Sequence, residues 1–411
     1  MNIGFISTRL AGTDGVSLET AKIASILRSR GHQVFYCAGE LDADAPPGML
    51  VPEMHFEWPE ARRIHDEAFG PAAPSDLRPR IKAMALRLQD AIAAYVRRFS
   101  INVLFIQNAV AIPMQIPLGV ALTDYVQATG IRTIAHNHDL YWERPRFAQC
   151  AVQDILDRCF PPVLPSVRHL AINSLAAREL LARKGVQADL LPNIFDYAHP
   201  PAPPDSYVAD LRTTIGLRPN DRVVLQPTRV VPRKNIELSI ELVARLGDPR
   251  IKLVITHHAG DEGLDYLHRL GTLAKEREVD LLYVADRFAP TRGTAPSGSK
   301  VYALWDAYPL ADLVSYPSTI EGFGNAFLEA VYFRRPILVN RYEVYAADLA
   351  AKGFDCIEVV NGALTDEAVA AVRSLLGDPG RAAATTEHNY AIAAQHYSYE
   401  AVAPLLERLM S

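Results

Sequence analysis

Short apolar runs of strand length, each followed by a glycine-bearing or polar turn and then by a helix-length segment, recur through both halves of this chain and limit the folds open to it. Residues 3–7 form such a run. The turn after it carries Gly12 and Gly15, residues 18–29 read as a helix that Gly31 ends, and 33–37 form the next run. Two strands joined by a crossover helix pair in parallel, because a long return path does not make an antiparallel hairpin. Runs at 103–107, 132–136 and 169–173 repeat the unit, and a helix over 175–184 follows, capped by Ser174 and closed by Gly185. Beyond residue 205 the alternation restarts, with strands predicted at 222–227, 252–256, 281–285, 313–316 and 336–340 and helices at 235–246, 265–276 and 325–332. The fold expected is α/β: two Rossmann-like, doubly wound parallel sheets facing a cleft.

A length of 411 residues exceeds what one hydrophobic core serves. The proline-rich stretch 198–205 supplies a stiff linker. The domains expected are 1–197, 198–390, and a C-terminal helix over 391–411 that packs back on the first. Two connections, 45–59 and 70–79, are long and rich in proline and glycine, and are read as loops that are either mobile or functional, in the latter case covering an acceptor site. Lys and Arg total 42 against 47 Asp and Glu, a net charge of −5, so there is no broad positive field for nucleic acid. The four cysteines include no pair at Cys-x2-Cys spacing, which gives neither a zinc cluster nor a disulfide framework. No basic leader precedes the first run, and the apolar stretch 109–122 is broken by Pro113, Gln115 and Pro117, short of a membrane span. A cytoplasmic protein is expected.

Ligands of doubly wound sheets bind beyond the carboxyl ends of the strands, so the loops there carry the candidate chemistry. The loop from Ala11 to Ser17 could bring backbone amides to an anion at the following helix, although glycines serving only a turn would look the same. Arg229, Arg233 and Lys234 follow a strand and precede Asn235, a cationic loop suited to a diphosphate; a solvated surface cluster is the alternative. Neither Arg229 nor Lys234 is expected to have a partner in the core. Glu321 stands among glycines in a loop, while Glu329 falls inside the helix that Asn325 opens, and the amides of Phe323, Gly324 and Asn325 lie between them. Two polyol-binding carboxylates around a phosphate-binding helix start match ribose, diphosphate and hexose. His136 and His138 are expected not to face one metal together, and no metal site is expected. Asp139, Arg144 and Arg146 follow, the two arginines being able to pair with an acidic acceptor or to face solvent.

The segment from Glu321 to Glu329, the stretch 307–318 before it, the pair Arg229 and Lys234, residues 192–196, and the first loop with Glu19 together resemble family 4 retaining glycosyltransferases of the GT-B fold. Residues 141–147 and 340–345 resemble the mannosylglucosylglycerate synthase subgroup of that family. The resemblance implies that Arg229 and Lys234 hold the donor diphosphate, Glu321 the transferred sugar, Phe323 to Asn325 a phosphate through amides, and Glu329 the ribose. It implies that Gly15 approaches the donor phosphate, and that His138 stands near the reacting centre, with His136 and Asp139 toward the acceptor. Transfer would retain configuration on one face of the sugar, without a metal or other cofactor, from a UDP- or GDP-sugar to a small, acidic acceptor. Departures are Asp14 before Gly15, where two glycines are usual, Arg335 where a glycine usually ends the helix, and 193–196 in place of Asn-Gly-Val-Asp. A sugar-nucleotide epimerase, or a non-catalytic nucleotide- or sugar-binding protein, would share much of this pattern.

Overall fold

Parallel strands covered by helices on both faces are buried and mostly apolar, and β4 and β14 at the centres of the two sheets are buried along their whole length. The computed structural model describes residues 1–12, 14–71, 73–259 and 263–411, and divides the chain into two units. Thr13 of the first turn, Ala72 of the second long connection and residues 260–262 lie outside the described residues.

Unit 1 comprises Met1–Ile194 and Val402–Ser411. Its strands are β1 (Asn2–Ile6), β2 (Gln33–Ala38), β3 (Gly48–Leu50), β4 (Val103–Gln107), β5 (Arg132–Asn137), β6 (Val167–Ala171) and β7 (Ala188–Leu190). They form one parallel sheet of seven in the order β3-β2-β1-β4-β5-β6-β7, so the order reverses between β1 and β4. Its helices are α1 (Gly15–Ser29), α2 (Pro59–Ala68), α3 (Leu77–Arg98), α4 (Ile116–Thr129), α5 (Gln153–Cys159) and α6 (Ser174–Lys184). All five residues of β4 are buried, and Phe5 of β1 stacks on Phe105 at 4.8 Å. Helix α3 buries Leu77, Ile81, Met84, Leu88, Ile92 and Tyr95, the three- and four-residue spacing of a single face. Truncating a fully buried leucine such as Leu88 to alanine costs about 2–5 kcal/mol.

Unit 2, Phe195–Ala401, holds β8 (Arg222–Gln226), β9 (Ile251–Ile255), β10 (Leu281–Tyr283), β11 (Phe288–Ala289), β12 (Gly293–Thr294), β13 (Lys300–Ala303), β14 (Leu313–Tyr316), β15 (Ile337–Asn340) and β16 (Ile357–Val359). Six of them make a parallel sheet in the order β10-β9-β8-β14-β15-β16, which reverses between β8 and β14, and β11-β13-β12 form a small separate sheet. The helices here are α7 (Leu211–Thr214), α8 (Ile236–Leu246), α9 (Asp265–Glu276), α10 (Asn325–Tyr332), α11 (Asp366–Gly377) and α12 (Pro379–Tyr397), with α13 (Tyr399–Met410) closing the chain.

Several local expectations are corrected. The two long connections are partly regular: β3 and a turn of 3-10 helix lie within 45–59, and α2 and α3 begin at Pro59 and Leu77. Their prolines misled the loop reading, since proline in a first helical turn forfeits no intrahelical hydrogen bond. Asn173, not Ser174, caps α6, accepting from Ala176 N at 2.7 Å. The C-terminal segment is two helices interrupted at the extended Ser398, and α13 is tied within unit 1 by Arg132 Nη1 to Met410 O at 2.9 Å. One residue before Arg335, the position where a glycine is usual, Arg334 adopts the left-handed conformation at φ 51° and ends α10, so Arg335 need not. Arg335 N donates instead to Ala330 O at 2.8 Å.

Candidate active site

In unit 2 the reversal of strand order places the loops after β8 and β14 beside each other, and the candidate side chains Arg229, Arg233, Lys234 and Glu321 stand on those two loops. Residues 232–234 form one turn of 3-10 helix after β8, and Asn235, at φ 50°, turns the chain into α8. Arg229 is exposed, whereas Lys234 is buried, with its side chain 8% exposed. Lys234 Nζ hydrogen bonds to Glu321 Oε1, and Arg233 Nη1 lies 3.3 Å from Glu321 Oε2 and donates to Ile320 O at 3.1 Å. Lys234 therefore does have a partner, contrary to the sequence expectation. Burial would raise the Glu321 pKa, but the Lys234 charge and hydrogen bond, with Arg233 behind them, hold the carboxyl below its usual range. Burial lowers the Lys234 pKa against the pull of Glu321, and the neighbouring guanidiniums act in the same direction as burial. A charged pair results, roofed by two loops whose backbones are joined by Thr319 N to Arg233 O at 2.9 Å.

Helix α10 starts at Asn325 as expected, after Gly324 at φ 133°. That backbone suits only glycine, and an added Cβ would come within 2.5 Å of Tyr342 Oη. Tyr342 Oη donates to Phe323 O at 2.7 Å and so fixes the turn, and among the described residues no side chain of the N-cap position bonds the helix start. Glu329, one turn further on, accepts from Tyr308 Oη at 2.5 Å and Trp305 Nε1 at 3.3 Å. Beneath the loops runs a buried polar chain that sequence reading missed: Ser239 Oγ reaches Gln226 Oε1 at 2.8 Å and Ser315 Oγ at 2.7 Å, and Gln226 Nε2 donates to Thr228 Oγ1 at 2.9 Å. Its only sequence signal is polar residues inside strands that are otherwise apolar.

In unit 1 the first loop differs from expectation. Gly15 is the first residue of α1, and Asp14 caps the helix, accepting from Val16 N at 3.0 Å and Ser17 N at 3.2 Å. Gly12 N donates to the carboxylate of Asp42 at 3.1 Å. Carboxylates of the chain itself thus occupy amides that were assigned to an anion, and the positive end of α1 is already compensated. Glu19 is buried and accepts from Ile194 N at 3.1 Å and Lys22 Nζ at 2.6 Å, holding the 192–194 segment.

His136 is the last residue but one of β5 and His138 follows the strand. Residues two apart share a face of a strand, so the two rings lie together, 4.2 Å between centroids, and the expectation that they diverge is wrong. Gln107 Oε1 lies 3.1 Å from His136 Nδ1 and 3.0 Å from His138 Nε2, and His136 Nε2 lies 3.2 Å from Leu191 O. Burial pushes the His138 pKa down to about 3 and that of His136 well below its ordinary value, so both imidazoles are neutral. Asn108, at φ 59°, accepts from His138 N at 2.9 Å and Asp139 N at 3.1 Å and shapes the turn after β5. Asp139 is paired with Arg144, while Arg146 stacks at 4.7 Å on Phe147 and donates to Met114 Sδ at 3.2 Å. Among the described residues no group of three His, Cys, Asp or Glu could hold a metal ion, and no helix is long and apolar enough to cross a membrane.

The fold matches solved structures along its whole length. One is Anabaena HepE in complex with UDP and glucose, with a TM-score of 0.68, 16% identity, and coverage of 100% of this chain and 99% of that one. Another is WaaG, a glycosyltransferase involved in lipopolysaccharide biosynthesis, with a TM-score of 0.62, 15% identity, and coverage of 98% and 99%. Two doubly wound parallel sheets, each with one reversal of strand order, are the GT-B fold, and with the relatives that follow they support a glycosyltransferase that uses a nucleotide sugar. In sequence the chain is similar to two proteins named mannosylglucosylglycerate synthase. The one from Petrotoga mobilis is 29% identical over 379 residues, 87% of this chain and 86% of that protein. The one from Thermotoga maritima is 28% identical over 447 aligned positions, 99% of each. No family model matches the chain.

Proposed function

We propose that the chain transfers a hexose, with retention and without a metal ion, from a nucleotide-diphosphate sugar held by unit 2 to a small acidic acceptor held by unit 1. The observation that carries the reading is Glu321 bonded to Lys234 and Arg233 on two loops at the strand-order reversal. A donor diphosphate competes with Glu321 for those cations, aided by Arg229 and the backbone amides at the start of α10, and Glu321 then accepts hydroxyls of the sugar. Glu329 takes the ribose beside Tyr308. The bond from the anomeric carbon to the diphosphate breaks, the bond to the acceptor oxygen forms on the same face, and the acceptor proton passes to the leaving phosphate oxygen. Positioning and stabilisation of that phosphate by Lys234, Arg233 and Arg229 supply the rate, so no divalent ion is needed. His136, His138, Asp139, Arg144 and Arg146 belong to the acceptor side, where the arginines suit a carboxylate. The names of the two relatives, which contain glycerate, support an acidic acceptor. The UDP and glucose bound by HepE make UDP-sugars the first donors to try, with GDP-sugars next. Unpaired thiols among the described residues agree with a cytoplasmic setting.

The test is a screen of UDP-, GDP- and ADP-sugars against glycerate-bearing and neutral acceptors in EDTA, with product configuration read by NMR. Retained configuration in an acidic product is the expected result. An epimerised donor without transfer, binding without turnover, an inverted product, or activity that returns only with magnesium or manganese would each overturn the corresponding part.

A further inference from the structure

The buried amide of Gln107 lies against both histidines of unit 1, and its surroundings specify which end faces them. Gln107 is 0% exposed and sits at the end of β4. With Oε1 toward the rings, His136 Nδ1 and His138 Nε2 must both carry protons to bond it. His136 Nε2 faces a second acceptor, the carbonyl of Leu191, so His136 would need protons on both nitrogens. That is a buried imidazolium with no carboxylate bonded to it among the described residues, in a place where burial strongly favours the neutral ring. Gln107 Nε2 meanwhile is buried without a hydrogen-bond partner among the described residues. Turning the amide over removes both faults. Nε2 then donates one hydrogen to each ring, His136 Nε2–H donates to Leu191, and both rings are neutral. The carbonyl that takes the vacated side costs less, since under-satisfied carbonyls are commoner than orphaned N–H groups.

We infer that Gln107 is a positioning residue: its amide nitrogen donates to His136 Nδ1 and His138 Nε2, and so fixes His138 as the tautomer that carries its proton on Nδ1. His138 Nδ1 meets no hydrogen-bond partner among the described residues. It is therefore a fixed N–H donor, able to hold an oxygen of a bound sugar or acceptor and unable to take the proton of an attacking hydroxyl. The substrate role rests on the function proposed above, whereas the tautomer does not.

Nitrogen-15 NMR of the histidine rings of the full chain at neutral pH tests it, with His136→Asn and His138→Asn spectra used for assignment. Expected are a protonated Nδ1 and bare Nε2 for His138, and the reverse for His136. A proton on His138 Nε2, or a doubly protonated His136, overturns the inference. The variant Gln107→Glu places an acceptor-only carboxylate against the rings, so it moves the His138 proton to Nε2 or adds a second one. A drop in kcat of about 10-fold, the size of one hydrogen bond, with nucleotide affinity unchanged is expected. An altered tautomer with unchanged kcat overturns the substrate role. Absence of transfer with every donor, alongside the expected wild-type tautomers, would instead sink the proposed function and leave the amide assignment standing.

Discussion

Replacing Lys234 with alanine tests stability and function at one position. The Lys234 and Glu321 side chains are 8% and 11% exposed, so each depends on the other for charge balance. Removing one partner of a buried pair costs about 3–5 kcal/mol, because the remaining charge stays desolvated. Arg233, 3.3 Å from the other carboxylate oxygen, keeps part of the balance and places the loss near the lower end, about 3 kcal/mol. For a unit of this size, roughly 200 residues, each kcal/mol moves the midpoint by about 2–4 °C, so a fall of roughly 6–12 °C is expected in the calorimetric transition of unit 2. The double variant Lys234→Met with Glu321→Gln removes both charges and should recover most of that loss while remaining inactive. Transfer by Lys234→Ala should fall at least 10- to 100-fold, the weight of a charged hydrogen bond. Glu321→Gln frees the cations and should bind nucleoside diphosphate at least as tightly as the parent while losing transfer. An unchanged midpoint in Lys234→Ala would refute the buried pair, and a double variant that regained activity would refute its role in donor binding.

Burial holds His138 and His169, 7% and 3% exposed, at pKa values of about 3 and about 4 against an ordinary 6.5, so the folded chain favours their neutral forms. Their contribution is complete above about pH 6.5 and is lost as pH falls toward the folded values. At pH 5 that is about 2 kcal/mol each, or about 4 kcal/mol together. Urea midpoints equal at pH 7 and pH 5 would contradict it. Asp14→Ala should cost about 0.5–2 kcal/mol through the lost α1 cap, measured by urea unfolding, and an unchanged stability would show that the cap is idle. Because Arg144 is paired with Asp139, Arg146→Ala should raise the KM for an acidic acceptor more than Arg144→Ala does, by about 10-fold, with donor KM unchanged. Parallel loss of donor affinity would remove the acceptor assignment.

The alternation of apolar runs and helix-length segments was enough to read both doubly wound sheets, because a strand covered on two faces is mostly apolar and its turn is polar or glycine-bearing. The strand-end loops with Arg229, Lys234 and Glu321, and the helix start that carries Glu329, were legible for the same reason, since the order of elements decides where such loops fall. The pairings inside the sites were not legible. Lys234 and Glu321 are separated by 87 positions and meet only because β8 and β14 are neighbours in the sheet. Gln107 reaches His136 and His138 only because β4 pairs with β5 in a register that sets Gln107 opposite His136. Composition marks Asp14 as one more polar turn residue, yet the geometry of α1 gives its carboxylate the amides that a bound anion would need. Local sequence therefore determined which segments are strands, helices and functional loops, while the lateral packing of strands decided which charges and hydrogen bonds those loops hold.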